Sequence, residues 1–354
     1  MAALTLGGLL LFASLTVGAA LLGAYVLPNG GQISFEMGDG GHWDIYLLDV
    51  QRGIQHNLTN HPATDEDYTW SPDGRRLAFV SERDGSPDIY VIEARCADWL
   101  TPCERLRNLS NSPAEDTSPS WSPDGTALLF VSNRDTQREI YRADVHSGAL
   151  LNLTHTPADE RFPYWSPDGE RIAFQSERSG TERLYVMQAD GSAAEMIGRG
   201  FGRAAVWSPD GQNLLFVQAS DLFLVDVSCA DVPDGCRFAP RNITLSTFED
   251  WYADWSPDGR YLLFHSNRSL KPHVYLADMT CADQVLTCLT AAQKLTNDLD
   301  FHLTPDWSRD GASVVLLSND SGQMQLYAVD IAGRTAQQLT RATQPVFAPR
   351  WRPG

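Results

Sequence analysis

A recurring string, Trp-Ser-Pro-Asp-Gly, constrains the fold of this chain more than any other feature. It occurs five times, and the variants Trp-Ser-Arg-Asp-Gly and Trp-Arg-Pro-Gly follow near the end of the chain. The seven strings begin at Trp70, Trp121, Trp165, Trp207, Trp255, Trp307 and Trp351. Neighbouring tryptophans are between 42 and 52 residues apart. Repeats of this length are typical of propeller blades or helical solenoids.

The segments between these strings have the pattern of short strands. In most copies the string is followed by an apolar run such as 77–80, a Ser-x-Arg turn, a second run such as 89–92, and a third that ends in Leu-Thr or Leu-Ser. The runs are rich in aromatic and β-branched residues and are bounded by turn residues, which is typical of strands. No window has a helical period, so the pattern excludes a solenoid. Four short antiparallel strands per unit are the content of a propeller blade.

The two ends of the repeat region are out of phase with each other. Residues 32–59 hold the second, third and fourth strands of a unit, whereas residues 346–352 hold only a first strand. A blade assembled from both ends would remove two exposed sheet edges. We therefore predict an all-β fold: a seven-bladed β-propeller over residues 32–354, closed by strands from both termini.

The full repeat resembles that of a known family. It reads Pro-x-Trp-Ser-Pro-Asp-Gly, an apolar strand, Ser-x-Arg-Asp-Gly, Ile-Tyr-Val and Leu-Thr, and it is similar to the TolB-like β-propeller family with its WD40-like or PD40 repeats. The resemblance covers residues 32–354 and implies a binding platform in the cell envelope. TolB carries an α/β domain ahead of its propeller, whereas a hydrophobic segment occupies that place here.

That N-terminal segment, residues 1–27, contains no charged side chain. A helix of this length would cross the roughly 30 Å hydrocarbon core of a bilayer. The segment therefore predicts a hydrophobic helix that anchors the chain in a membrane. The small residues 17–20 leave a cleaved signal, and hence a secreted protein, as the alternative. Residues 28–31, Pro-Asn-Gly-Gly, are predicted to be a short linker.

Six cysteines form three C-x6-C pairs, each beginning Cys-Ala-Asp between the third and fourth strands of a unit. Structural zinc sites usually have shorter C-x2-C to C-x4-C spacing, so we favour disulfides over metal ligation. The predicted bridges are Cys96–Cys103, Cys229–Cys236 and Cys281–Cys288. An even number of cysteines in this pattern favours an oxidising compartment, which is periplasmic or at the cell surface.

Charge patterning suggests a face for binding. The net charge of −18 argues against nucleic acid as a partner. In a propeller the first strand of each blade lines a central channel, and the loop leading into it lies at one mouth. Five residues before the repeat tryptophans stand the candidates Asp65, Asp116, Glu160, Asp250 and His302. They would either form an acidic ring for a cation or basic peptide, or pair with arginines of the Ser-x-Arg turns, namely Arg83, Arg134, Arg178 and Arg268.

Aromatic residues that depart from the repeat are further candidates. Trp43, Trp251 and Tyr252 fall on the same face, where they would anchor a peptide or stack on a sugar. The chain has no G-x-S-x-G string, no H-E-x-x-H string and no glycine-rich phosphate loop. We therefore predict a non-catalytic, extracytoplasmic scaffold without metal or cofactor that binds a protein or peptide in the cell envelope. The alternative is a carbohydrate-binding or carbohydrate-active propeller of lyase or glycosidase type, using Trp251, Tyr252 and a carboxylate pair.

Overall fold

Seven four-stranded antiparallel sheets follow one another along the chain. The computed structural model describes residues 31–39, 41–94, 106–197, 203–228, 238–245, 247–269, 271–280, 289–295 and 302–354. Within these residues each sheet is one blade, numbered in chain order.

The strands of blades 1 to 4 have the following bounds. Blade 1 contains β1 (Gln32–Asp39), β2 (His42–Asp49), β3 (Ile54–Asn57) and the last strand of the chain, β28 (Val346–Trp351). Blade 2 contains β4 (Asp65–Trp70), β5 (Arg76–Ser81), β6 (Asp88–Glu93) and β7 (Leu106–Asn108). Blade 3 contains β8 (Asp116–Trp121), β9 (Ala127–Asp135), β10 (Gln137–Asp144) and β11 (Leu150–Asn152). Blade 4 contains β12 (Glu160–Trp165), β13 (Arg171–Ser176), β14 (Arg183–Gln188) and β15 (Glu195–Met196).

The remaining three blades follow the same order. Blade 5 contains β16 (Arg203–Trp207), β17 (Asn213–Gln218), β18 (Asp221–Asp226) and β19 (Arg241–Asn242). Blade 6 contains β20 (Asp250–Trp255), β21 (Tyr261–Ser266), β22 (His273–Asp278) and β23 (Gln293–Lys294). Blade 7 contains β24 (His302–Trp307), β25 (Ser313–Ser318), β26 (Gln325–Asp330) and β27 (Ala336–Gln338).

Both chain ends contribute to blade 1, which confirms the predicted closure of the ring. Strand β28 pairs antiparallel with β1, so that Ile33 lies opposite Trp351 and Met37 opposite Val346. The predicted anchor over residues 1–27 and most of the linker lie outside the described residues. Within the described part of the chain, no helix has the length and apolar character needed to cross a bilayer.

The core lies between adjacent blades. The second strand of a blade is buried on both faces, as in β5, where Leu77, Ala78 and Phe79 have no exposed surface. Burying a side chain such as Phe79 contributes about 1.5–3 kcal/mol. The repeat tryptophan packs against the preceding blade, since Trp121 shares a cluster with Val80 of blade 2. Its Nε1 also donates to the carbonyl oxygen of Thr69 in that blade at 3.2 Å.

The Ser-Pro-Asp-Gly turn joins the first and second strands of a blade. In the first copy, Ser71 Oγ donates to Asp73 Oδ1 at 2.6 Å and accepts from the N–H of Arg76 at 2.9 Å. Gly74 has φ +64°, and a Cβ built there would lie 1.5 Å from the carbonyl oxygen of Pro353. Glycine is therefore required both by the backbone conformation and by the close approach of the C-terminal residues.

A β-bulge in the innermost strands determines which side chains face the channel. In β4 the register shifts between Glu66 and Thr69, and Asp67 has φ +49°. The corresponding residue also has positive φ in other blades: Ser118, Phe162, Tyr252, Thr304 and Ala348. A bulge re-aims the side chains that follow it. As a result, the residue directly before each repeat tryptophan is accessible, whereas the residue before that one is buried.

Candidate functional site

The four predicted carboxylates at the start of the innermost strands lie inside the blades. Asp65, Asp116, Glu160 and Asp250 are each 0% exposed. Each pairs with the Ser-x-Arg arginine of its own blade, at oxygen–nitrogen distances between 2.9 and 3.2 Å: Asp65–Arg83, Asp116–Arg134, Glu160–Arg178 and Asp250–Arg268. The pairs join the first strand of a blade to the turn between its second and third strands. They therefore have the geometry of structural ion pairs within one blade, not of an acidic ring open to a ligand.

The arginine of each pair is held by further contacts. Arg83 Nε donates to Ser81 Oγ at 2.8 Å, and the guanidinium lies over the rings of Phe79 and Tyr90 at 5.4 and 4.8 Å. The same contacts recur around the other three arginines. Burial raises the pKa of Glu160, although Arg178 opposes this effect. The repeated acidic residues thus belong to a repeated packing unit.

The aromatic candidates have separate surroundings. Trp43 packs edge-on against Phe347 with ring centroids 5.3 Å apart. The rings of Trp251 and Tyr252 both pack edge-on against the ring of buried His265, with ring centroids 6.2 and 5.7 Å apart, respectively. Tyr252 remains 49% exposed.

The structure describes several other predicted site residues only in part or not at all. His302 begins β24, but its side chain is not among those described. All six cysteines lie outside the described residues, so their pairing stays a prediction. Among the described residues, no group of three or more His, Cys, Asp or Glu side chains is arranged to hold a metal ion.

The central channel contains a pocket of about 460 Å³ that the sequence analysis did not identify. Three charged residues directly before repeat tryptophans line it, namely Asp254, Asp306 and Arg350. Tyr164 and Val206 occupy the same position in blades 4 and 5 and also line the pocket. In the sequence, these charged residues are visible only as a departure from the repeat, because blades 2 and 3 have the uncharged Thr69 and Ser120 directly before their repeat tryptophans.

Burial raises the pKa of both carboxyls of this pocket, but their partners differ. Asp306 Oδ1 lies 3.5 Å from Arg350 Nη1, and Asp306 Oδ2 accepts from the N–H of Trp351 at 2.7 Å. Burial raises the pKa of Asp254 to about 7, and the negative charge of Asp306 adds to this effect while Arg350 opposes it. Asp254 is therefore easier to protonate than an ordinary aspartate.

Two more carboxylates lie on the innermost part of blades 1 and 2, which follow blades 6 and 7 around the ring: Glu36 on β1 and Asp67 on β4. Glu36 accepts from the N–H of Asp67 at 3.0 Å, and Asp67 accepts from the N–H of Ser118 at 2.9 Å. Burial raises the pKa of Glu36 to about 7 and also raises that of Asp67. Charge interactions of Arg350 with Glu36, Asp67, Asp254 and Asp306 place these groups around one space. Four carboxylates around one guanidinium make the potential of this region negative.

Exposed apolar side chains lie in the channel and at the mouth where the loops enter the innermost strands. We call five of them the apolar rim: Phe162, Tyr164, Leu245, Phe248 and Tyr252. Leu245 is 63% exposed and lies with Phe248 on the loop that leads into β20, the strand of Tyr252. Exposed apolar groups of this kind commonly mark interaction sites.

Comparison with known proteins identifies the family. The sequence matches the TolB beta propeller domain family, PD40, over residues 22–100 and 100–235. The chain belongs to this family. One curated relative, the Tol-Pal system protein TolB of Alcanivorax borkumensis, is 35% identical over 94 residues, which are 25% of this chain and 20% of that protein. The chain aligns with only 12% to 47% of the length of the curated relatives that it matches first.

Solved structures of similar shape include proteins of different functions. TolB from Acinetobacter baumannii has a TM-score of 0.53 and 18% identity, covering 91% of this chain and 82% of that one. An oligogalacturonate lyase in complex with manganese has a TM-score of 0.63 and 16% identity, covering 89% and 86%. At these identities the PD40 chain shares the fold with both, and a shared fold does not decide between binding and catalysis.

Proposed function

We propose that this chain is a non-catalytic scaffold outside the cytoplasm that binds a protein or peptide segment from a partner in the cell envelope. The apolar rim beside the negatively charged channel is the observation that carries the proposal. Binding energy in protein interfaces is concentrated in a few large, mostly aromatic anchors. Phe248 and Tyr252 have this character, because both are large and about half of their surface is exposed.

The negative charge of the channel wall favours a partner segment that carries positive charge. The described channel wall carries Glu36, Asp67, Asp254 and Asp306 but only one guanidinium, that of Arg350. Complementary charge steers association and disfavours wrong partners. The segment that fits this mouth therefore combines an apolar anchor with a basic residue.

Truncating the apolar rim is expected to weaken partner capture. In chemical cross-linking and pull-down with the full-length chain from its own membranes, Phe248→Ala and Tyr252→Ala should each reduce recovery of the partner, because losing a hot-spot anchor costs about 2 kcal/mol or more, roughly 30-fold in affinity. Leu151→Ala is the matched control, since Leu151 is 52% exposed but lies on the outermost strand of blade 3. Equal recovery with all three variants would contradict the proposal.

The location outside the cytoplasm is also part of the proposal. It is supported by the three C-x6-C pairs and by the uncharged segment 1–27, which would anchor the chain or direct its secretion if cleaved. A thiol-reactive dye added to the denatured, non-reduced protein should label none of the six cysteines and should label all of them after reduction. Labelling of all six cysteines without reductant would contradict the predicted disulfides.

A second candidate function is carbohydrate binding or cleavage. It is favoured by one observation: Asp254 and Asp306 line the same pocket as Tyr164 and Tyr252, and the pKa of Asp254 is raised to about 7. Two carboxyl groups in different protonation states serve as acid and base in glycoside chemistry, and tyrosine rings stack on sugars. Release of products from oligogalacturonate by wild type, lost in Asp254→Asn, would establish this function in place of the first.

A further inference from the structure

Asp254 and Asp306 have different partners in the channel pocket. Asp306 contacts the Arg350 guanidinium at 3.5 Å and the N–H of Trp351 at 2.7 Å. Burial raises the pKa of Asp254, and the neighbouring backbone N–H of Trp255 opposes this effect. Among the described residues, no Lys, Arg or His nitrogen forms an ion pair with Asp254. Among these residues, Asp306 therefore has an ion-pair partner and Asp254 has none, although the charge of Arg350 also acts on Asp254.

The space in front of Asp254 has the shape and lining of a side-chain pocket. Its volume of about 460 Å³ falls within the range of about 300–1,000 Å³ usual for ligand sites. Val206, Tyr252 and Pro305 line it, and these groups suit the methylene stem of a long basic side chain. Thr304 also lines the pocket, and its Oγ1 is a buried hydroxyl that has no hydrogen-bond partner among the described residues. A buried polar atom of this kind is expected to find a partner.

We propose that Asp254, together with Asp306 and the Thr304 hydroxyl, forms a subsite for one basic side chain, lysine or arginine, of the bound peptide segment. The inference rests on the proposed peptide-binding function and assigns a residue class to it. A metal ion fits less well, since calcium takes about six to eight oxygen ligands and the described residues hold no cluster of three or more potential ligands. An anion is disfavoured because the Arg350 guanidinium already pairs with Asp306.

Binding at this subsite should be coupled to proton release. Among the described residues, the charged and titratable groups that line the pocket with Asp254 are Asp306 on β24, Arg350 on β28, Tyr164 on β12 and Tyr252 on β20. Glu36 on β1 and Asp67 on β4 also interact with Arg350 across the channel. A bound cation favours the ionised form of Asp254, whose pKa in the free protein is about 7. Below that pH the carboxyl is protonated and binding is weaker, whereas above it the carboxylate is ionised and binding is stronger.

The test uses two peptides and isothermal titration calorimetry of the full-length chain. The first is acetyl-Gly-Phe-Lys-Phe-Gly-amide, and the second replaces lysine with norleucine, which keeps the methylenes and removes the charge. The lysine peptide should bind about ten-fold more tightly at about pH 8 than at about pH 6, the limit set by one group of pKa about 7. The norleucine peptide should bind more weakly and without this pH dependence.

Two variants complete the experiment. Asp254→Asn should abolish the pH dependence and the preference for lysine. Glu82→Gln removes the same charge from an exposed turn on the mouth face and should change neither. Equal binding of both peptides would overturn the subsite while leaving peptide binding intact. The subsite would also be overturned if the lysine peptide did not bind. It would be overturned as well if calcium chloride displaced the lysine peptide from the wild type but not from Asp254→Asn. The variants of the apolar rim test the proposed function separately.

Discussion

Deleting residues 346–354 is expected to prevent the chain from forming a stable propeller. These residues supply β28, the innermost strand of blade 1, and Val346 in it is fully buried. Their removal leaves β1 as an unpaired edge and opens the ring between blades 7 and 1. Circular dichroism and urea unfolding should show the loss of a cooperative transition. A truncated chain with the wild-type urea midpoint would contradict the closure argument.

The side chain of Arg352 should account for part of the stability that residues 346–354 contribute. Arg352 Nε donates to the carbonyl oxygen of Gly74 at 2.7 Å and Nη2 donates to that of Ala94 at 3.2 Å, while the guanidinium lies 5.1 Å from the ring of Trp70. These contacts join the C-terminus to blade 2. Because hydrogen bonds to charged groups contribute about 1.5–3 kcal/mol each, Arg352→Ala should lower the free energy of unfolding measurably. Arg309→Ala, at an exposed position on the neighbouring turn, is the control and should change it by about 0.5 kcal/mol or less.

Ring closure was predictable because it follows from the phase of the repeat. Strands at 32–59 without a first strand, and a first strand at 346–352 without followers, permit one complete blade only if they pair. The direction of the side chains was not predictable in the same way. The bulge gives positive φ to residues such as Asp67, Tyr252 and Thr304. None of these is a glycine, so the sequence does not indicate the unusual backbone conformation. Simple alternation along the strand therefore does not indicate which residues face the channel.

The location of the candidate site was missed for a related reason. The acidic residues that recur, such as Asp65 and Asp116, recur because four of the blades use the same ion pair in their packing. The charged residues of the channel occur at a position that varies between blades, so Asp254, Asp306 and Arg350 form no repeat. In a propeller, features shared by the blades stabilise the ring, and the departures from the repeat are better candidates for binding.

Removing the arginine from one intrablade ion pair is expected to be among the most destabilising single substitutions. Arg83 Nη2 lies 2.9 Å from Asp65 Oδ1 and 3.0 Å from Oδ2, and Asp65 is completely buried. Arg83→Ala leaves this carboxylate without its counter-charge, which costs about 3–5 kcal/mol. Urea unfolding of the full-length variant measures this loss. Arg75→Ala is the matched control, because Arg75 pairs with Asp73 at 3.8 Å on the surface, where an ion pair contributes about 0–1 kcal/mol.

The double variant Asp65→Leu/Arg83→Met separates the pair from the packing around it. If the cost of Arg83→Ala comes from a stranded buried charge, replacing both partners with apolar side chains should restore most of the stability. The coupling energy from the corresponding double-mutant cycle should then exceed 1 kcal/mol or so. A cost for Arg83→Ala equal to that of Arg75→Ala would mean that Asp65 gains access to water, and the recurring acidic residues would again be candidates for contact with a ligand.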